Sequence, residues 1–325
     1  MSEEQKKIYV TGAAGMIGSN LVKRLVDEDF FVIGIDNFSR SDESRISDLV
    51  FKKNFKFFME DIKDFNNSWS EDIGSNDTII HLADIVAGIG YVFQNQWSIF
   101  NENLAINSSI GKIIAEKNPN HLIYVGTACS YPQNLQRSID DSVLKENDKF
   151  PADPESAYGW SKLIGDIEYK YLSEESDLIY TNLDLHNVYG FPTDTDPATA
   201  QVIPSLIKRA LENEELEIWG DGSQGRGFLE VNDVVDSILL AIKKEYNGSI
   251  MIGPEECSKI SDLAEIIIKN PLTKSTKISY DLSKPIGDIG RYADSSIARK
   301  ILGWEPKISL ESGINSLIKK ISELK

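Results

Sequence analysis

Tyr158 and Lys162 stand four residues apart in the string AYGWSK, a spacing that puts a phenol and an ammonium on one helix face. Beside an ammonium a phenol loses its proton more readily and exchanges it with a substrate alcohol near neutral pH. Thr127 closes the apolar run HLIYVGT and offers a hydroxyl to orient the same alcohol. Taken alone, such a Tyr-Lys spacing is equally a surface pair. Residues 11–18, TGAAGMIG, set Gly12, Gly15 and Gly18 between a strand pattern and a helix pattern. There, backbone N–H groups and a helix dipole can face a pyrophosphate. Turn glycines of structural use alone give a similar string. Asp36 ends the next apolar run, where an acid meets adenosine ribose hydroxyls, and Asp61 and Ile62 follow the third, where an adenine would lie. A carboxylate at Asp36 favours NAD over NADP because it repels a 2′-phosphate, although Arg40 is near enough in sequence to answer one. The plain alternative for Asp36 is a solvating acid at a strand end.

These groups need elements to hold them. Short apolar runs at 8–12, 30–36, 55–59, 77–83, 121–127 and 178–185 alternate with amphipathic stretches such as SNLVKRLVDE and SSIGKIIAEK, the pattern of βα units. The spacing predicts an α/β protein with a doubly wound parallel sheet over 1–185. From 186 to 325 the texture becomes that of a smaller, loop-rich α/β lobe, and the two lobes are free to interleave. Helices are expected from about 156 to 171, in VIPSLIKRALENEE, at 232–244 and 261–269, and in the capped segment SLESGINSLIKKISEL.

The 325 residues carry 34 Lys+Arg against 51 Asp+Glu, a net charge of −17. So acidic a surface argues against nucleic acid and anionic membrane as partners. An anionic small ligand must then be held by a few placed donors. Two cysteines, Cys129 and Cys257, are too few for a disulfide framework or a thiolate metal site, and no metal is assigned. The polar start MSEEQKK runs straight into a strand pattern, and no run of 18 apolar residues occurs. A soluble, cytoplasmic protein is expected.

TGAAGMIG, Asp36, HLA at 81–83, Thr127, the Tyr158–Lys162 spacing, NVYG at 187–190 and Arg226 with Phe228 together resemble the extended short-chain dehydrogenase/reductases that modify nucleotide sugars. The resemblance covers almost the whole chain. It implies a Rossmann domain holding NAD, a second lobe holding a sugar nucleotide, and chemistry that starts by hydride removal at the sugar C4. It makes Thr127 the alcohol ligand, Tyr158 the base, and Lys162 a ribose ligand that tunes the phenol. Cofactor contacts are expected from Gly12, Ala14, Gly15, Met16, Ile17, Gly18, Asp36, Asn37, Asp61, Ile62, Leu82, Ala83 and Asn103, besides Tyr158 and Lys162. Gly88, Asn187, Gln201, Val202, Arg226 and Arg291 are expected to meet the sugar nucleotide. The same resemblance implies a homodimer paired through the helices near 98–117 and 156–172; exposed Trp97, Ile99, Ile106, Ile110 and Ile113 would permit it, and as core residues they would not.

Within the family the chain is most similar to the GDP-mannose 3,5-epimerases (HLADIVAGIG, TACSYPQNLQ, WGDGSQGRGF) and the GDP-fucose synthases (ACSYP, QVIPSLIKRA). In both groups a cysteine two residues past the hydroxyl ligand exchanges protons beside a C4 ketone. Cys129 matches it, and the alternative is a small buried hydrophobe. Gln201, however, stands where a lysine or histidine acid is expected, and His186 and Lys208 are the nearby titratable groups. Ala128 and Cys129 replace the Asp-Glu pair of the 4,6-dehydratases, which argues against dehydration. Glu230 in RGFLEVND is a further departure, without an explanation in the sequence. The reading is a nucleotide-sugar epimerase, with a GDP-sugar preferred. The alternatives are a 4-dehydrogenase that releases the keto sugar and a non-catalytic NAD(P)-binding sensor.

Overall fold

The computed structural model describes residues 6–64, 67–140, 143–196, 198–284 and 286–324. Seven strands, β1 (Lys7–Thr11), β2 (Phe31–Asp36), β3 (Phe55–Met59), β4 (Thr78–His81), β5 (His121–Thr127), β6 (Ile179–Leu185) and β7 (Gly248–Ile252), form one sheet. Their order is β7-β6-β5-β4-β1-β2-β3, and every neighbouring pair is parallel. The direction of winding reverses between β1 and β4, which opens a crevice at the carboxyl ends of those strands.

Strand periodicity accounts for the two layers around this sheet. Ile8 and Val10 of β1 point into the core that also holds Leu21 and Leu25 of α1 (Met16–Asp27) and Val234 and Ile238 of α6 (Val231–Lys244). Tyr9, between them, points to the opposite core with Ile110 and Ile114 of α3 (Gln96–Lys117) and Tyr169 of α4 (Ala157–Glu174). Alternate residues of each strand thus bury opposite faces. A short helix, α2 (Ile89–Gln94), precedes α3.

The smaller lobe packs α5 (Val202–Glu212), α7 (Ile260–Lys269) and α8 (Leu310–Ser322) around a parallel pair, Glu215–Trp219 with Lys277–Asp281. Leu206, Leu216, Ile218, Leu263, Ile314 and Leu317 form its core. Ser309 caps α8 by accepting the Ser312 N–H, as the sequence pattern anticipates.

Three features differ from the sequence reading or add to it. The first six strands fall where the apolar runs lie, whereas β7 does not stand out in the sequence: its five residues begin with Gly and Ser, and their strand character comes from pairing with β6. Through β7 and α6 the chain beyond residue 185 returns to the large sheet. Ile99 and Ile110, which the sequence left open between an exposed dimer face and the core, are core residues (1% and 0% exposed), and Ile106 and Ile113 pack against that core. Trp97 alone of the five is open, at 78%. Glu230, unexplained in the sequence, is the N-cap of α6: its carboxylate accepts the Asn232 N–H at 2.6 Å, where the helix dipole favours negative charge.

Candidate active site

The glycine turn lies at the mouth of the β1/β4 crevice. Gly12 has φ +71°, and a Cβ there would sit 2.9 Å from the Ala83 nitrogen, while a Cβ at Gly18 would sit 2.0 Å from the Gly12 carbonyl oxygen. Only glycine allows both approaches. Gly15 is the N-cap of α1 and has no side chain to answer the first N–H groups of that helix, which leaves them for an anion. Met16 and Ile17 form the first helical turn.

Asp36 closes the cradle. Its Oδ2 accepts the Ala14 N–H (2.9 Å), and its Oδ1 accepts the Phe38 N–H (2.8 Å) and the Ser41 hydroxyl (2.9 Å). A carboxylate offers about four acceptor sites, so one remains on Oδ2 for a ribose hydroxyl. Asn37 donates to Asp61 at 3.0 Å, joining the ends of β2 and β3. Arg40 lies over the Tyr91 ring, 5.7 Å from its centroid. This cradle fits a dinucleotide by its close backbone approaches and free helix terminus.

Two expected cofactor residues carry structural duties. The Ile62 side chain belongs to the core. Asn103 accepts the Ile85 N–H at 2.7 Å and donates to the Ile85 carbonyl and Ser161 hydroxyl, clipping the loop after β4 to α3 and α4. Leu82 and Ala83 donate their N–H groups to Thr11 Oγ1, which itself bonds His81 Nδ1 at 2.8 Å. His81 Nε2 meets Asn107 Oδ1 at 3.1 Å. Burial, with Lys162 nearby, lowers the His81 pKa to about 3; the ring is therefore neutral, with Nε2 as donor.

Thr127 and Tyr158 come together where α4 starts against the end of β5. Ser156 caps α4 by accepting the Gly159 N–H. A Cβ on Gly159 would fall 2.1 Å from the Cys129 carbonyl oxygen, so glycine lets the helix press on the turn at 128–130. That contact sets the Tyr158 side chain beside Thr127, whose Oγ1 accepts the Cys129 N–H at 3.2 Å. Lys162 lies one turn along, its Nζ 4.2 Å from the Tyr124 ring centroid and 2.7 Å from Asp84 Oδ2. The Lys162 ammonium is expected to draw the phenol down together with a bound nicotinamide; in the chain by itself other groups set the direction. Burial first, then Asp84, Cys129 and Tyr124, holds the Tyr158 proton well above the ordinary tyrosine range, and Thr127 offsets part of that.

Arg226 and Arg291 are both buried at the lobe junction. Arg291 lies beside Cys129 and donates to Gln136 Oε1 at 3.1 Å and Asp288 at 3.4 Å, and its Nε is buried without a partner. Burial and the like charge of Arg291 pull the Arg226 pKa to about 10, so it stays charged. Paired buried guanidiniums with an unanswered donor suit a diphosphate. Two acids share the place: Glu155 is hydrogen-bonded to Asp288, and burial with that neighbour raises Glu155 to about 7 against the pull of both arginines. Asp84, Glu155 and Asp288 were not among the residues the sequence pointed to. The nearness of Glu155 to Tyr158 in PESAYG was the available hint.

The remaining expected ligands form a second rim. The Gly88 N–H donates to the Thr199 carbonyl at 2.9 Å, and a Cβ on Gly88 would lie 2.4 Å from the Ala200 carbonyl oxygen, so Gly88 abuts the approach to Gln201, the N-cap of α5. Val202 packs on the second core. Asn187 begins a short strand paired with Phe228–Glu230. Lys208 pairs with Glu212 at 2.8 Å on α5. His186 is buried against Met251, and burial beside both arginines lowers it to about 3. Lys208 is thus engaged along its own helix and His186 is buried beside the two arginines.

Comparison with known proteins agrees with this geometry. Residues 8–253 match the model of the NAD dependent epimerase/dehydratase family. The chain is 28% identical over 313 residues to GDP-mannose 3,5-epimerase 1 of Oryza sativa subsp. indica, across 96% of this chain and 80% of that protein. It superposes with a TM-score of 0.83 and 26% identity on UDP-glucose 4-epimerase of Thermotoga maritima with UDP-glucose, across 98% of this chain and 99% of that one. UDP-glucuronic acid 4-epimerase of Bacillus cereus, in complex with UDP-glucuronic acid and NAD, gives 0.84 and 26%, with 98% and 100% covered. With a glycine cradle, an aligned Thr127-Tyr158-Lys162 set and a family match over most of its length, the chain belongs to the NAD dependent epimerase/dehydratase family.

Proposed function

We propose that the protein is a nucleotide-sugar epimerase, with a GDP-sugar as substrate, that works by oxidation at the sugar C4. The observation that carries this reading is the convergence of Thr127, at the end of β5, with Tyr158 and Lys162, on the first turns of α4, beside a dinucleotide cradle. NAD, when bound, supplies the hydride acceptor. Thr127 orients the C4 hydroxyl, Tyr158 in its phenolate form receives the proton, and Arg226 and Arg291 hold the diphosphate so that C4 stays within reach. Preference for GDP rests on the sequence motifs and on the resemblance to GDP-mannose 3,5-epimerase; the superposed structures named above carry UDP-sugars.

A second reading is favoured by one observation, the placement of Cys129 beside Arg291 at the turn after Thr127. Cys129 would there exchange protons at carbons flanking a C4 ketone. A homodimer in a reducing cytoplasm completes the proposal, with the open Trp97 at the start of α3 as its nearest apolar contact; among the described residues no helix is long and apolar enough to cross a membrane.

A screen of GDP-, UDP- and dTDP-sugars by mass spectrometry and NMR tests the main reading. Tyr158→Phe is expected to abolish turnover of the accepted sugar while nucleotide binding persists, and undiminished turnover would sink the assignment. Accumulation of the keto sugar would instead identify a 4-dehydrogenase. In D2O, label at C3 or C5 that disappears with Cys129→Ser supports proton exchange at Cys129; C4 inversion without label leaves the hydride reaction alone.

A further inference from the structure

Asp84 follows Ala83 directly, and Ala83 is the residue that approaches Gly12 so closely that a Cβ there would lie 2.9 Å from its nitrogen. Asp84 is thus set at the floor of the β1/β4 crevice. The loop that carries it is clipped at the next residue by Asn103, which bonds both backbone groups of Ile85. Its Oδ2 lies 2.7 Å from Lys162 Nζ, with the two side chains 7% and 3% exposed. An ion pair so far from water is held firmly, because separating it leaves an uncompensated charge. On its other side the ammonium faces the Tyr124 ring and a neutral His81.

We propose that Asp84 is a positioning residue for proton transfer at Tyr158: its carboxylate anchors Lys162 at the crevice floor and offsets the ammonium charge that the phenol feels. The inference rests on the Tyr158-centred reading above. The groups facing the phenol are Asp84 from the loop after β4, Tyr124 and Thr127 from β5 and Cys129 from the turn that follows; Lys162 of α4 is paired with Asp84. Of the charges on neighbouring groups, that of Asp84 does most to keep the proton on the phenol. An amide of the same shape leaves Lys162 uncompensated, and the phenol then ionises at lower pH.

The test is a near-ultraviolet titration of the full-length protein, with the Tyr158 signal isolated by difference against Tyr158→Phe in each background. Asp84→Asn is expected to bring the Tyr158 midpoint down by about one pH unit or more, a tenfold change in ionisation constant, while Asp84→Glu stays near wild type. The acid limb of kcat/KM for the accepted sugar should move the same way. Asp84→Ser serves if the asparagine variant does not fold, as judged by circular dichroism. An unchanged Tyr158 midpoint in a folded, carboxylate-free variant overturns the inference. A lowered midpoint in a protein whose wild type turns over no sugar nucleotide upholds Asp84 and rejects the functional reading instead.

Discussion

At the scale of single residues, the cleft is a balance of two arginines against two acids. Glu155, raised to about 7 by burial and by its bond to Asp288, is a carboxylate above that pH and a neutral acid below it. The carboxylate competes with a diphosphate for Arg226 and Arg291; the neutral acid does not. Affinity for a nucleoside diphosphate is therefore expected to fall as pH rises through about 7, and Glu155→Gln should flatten the dependence. Calorimetric titrations at about pH 6 and about pH 8 measure it, and equal slopes in the two proteins would contradict the assignment. Neutralising Arg226 or Arg291 should weaken the same binding far more than removing an exposed lysine such as Lys243, which pairs with Glu28 on the surface. Glu155 escaped the sequence reading because what shifts it, Asp288 and the arginines, arrives from more than 70 residues further along the chain.

At the scale of elements, the site depends on how tightly the start of α4 meets the end of β5. Gly159 makes that contact, and Gly159→Ala puts a methyl carbon 2.1 Å from the Cys129 carbonyl oxygen. The helix must then move off the turn and carry Tyr158 away from Thr127. A displacement near an ångström is expected to lower kcat by about a hundredfold with little change in nucleotide affinity, read from steady-state kinetics beside direct binding. Ser156→Ala removes the α4 cap and should cost about 1 kcal/mol in a urea unfolding experiment. The helix was legible because periodicity is a local property. The contact with the Cys129 carbonyl was not, since a glycine in a helical pattern has the same appearance whether or not a neighbouring backbone presses on it.

At the scale of the whole molecule, buried histidines couple the fold to pH. His81 and His186 are lowered to about 3 and His121 to about 4, burial being the first cause in each. Their unfolded value is about 6.5. Below that value the unfolded chain binds protons that the folded chain refuses, so stability is full above it and declines as pH falls toward the folded values. Each histidine contributes a slope of about 1.4 kcal/mol per pH unit in that window. Glu155 runs the other way from its ordinary value up to about 7 and cancels about one of the three. Urea midpoints should therefore fall between about pH 7 and about pH 5, and His121→Gln should lessen the fall; a flat profile would contradict the burial argument. The net charge of −17 describes the outer surface, since Arg226 and Arg291 lie buried at the lobe junction. By itself the sequence determined the βα alternation, the glycine cradle and the Tyr158–Lys162 spacing, because each is set by residues a few positions apart. Only the tertiary structure decided that β7 completes the sheet, that Asp84 holds Lys162 and that Glu155 faces the arginines, because those partners are brought together by packing between segments distant in the chain.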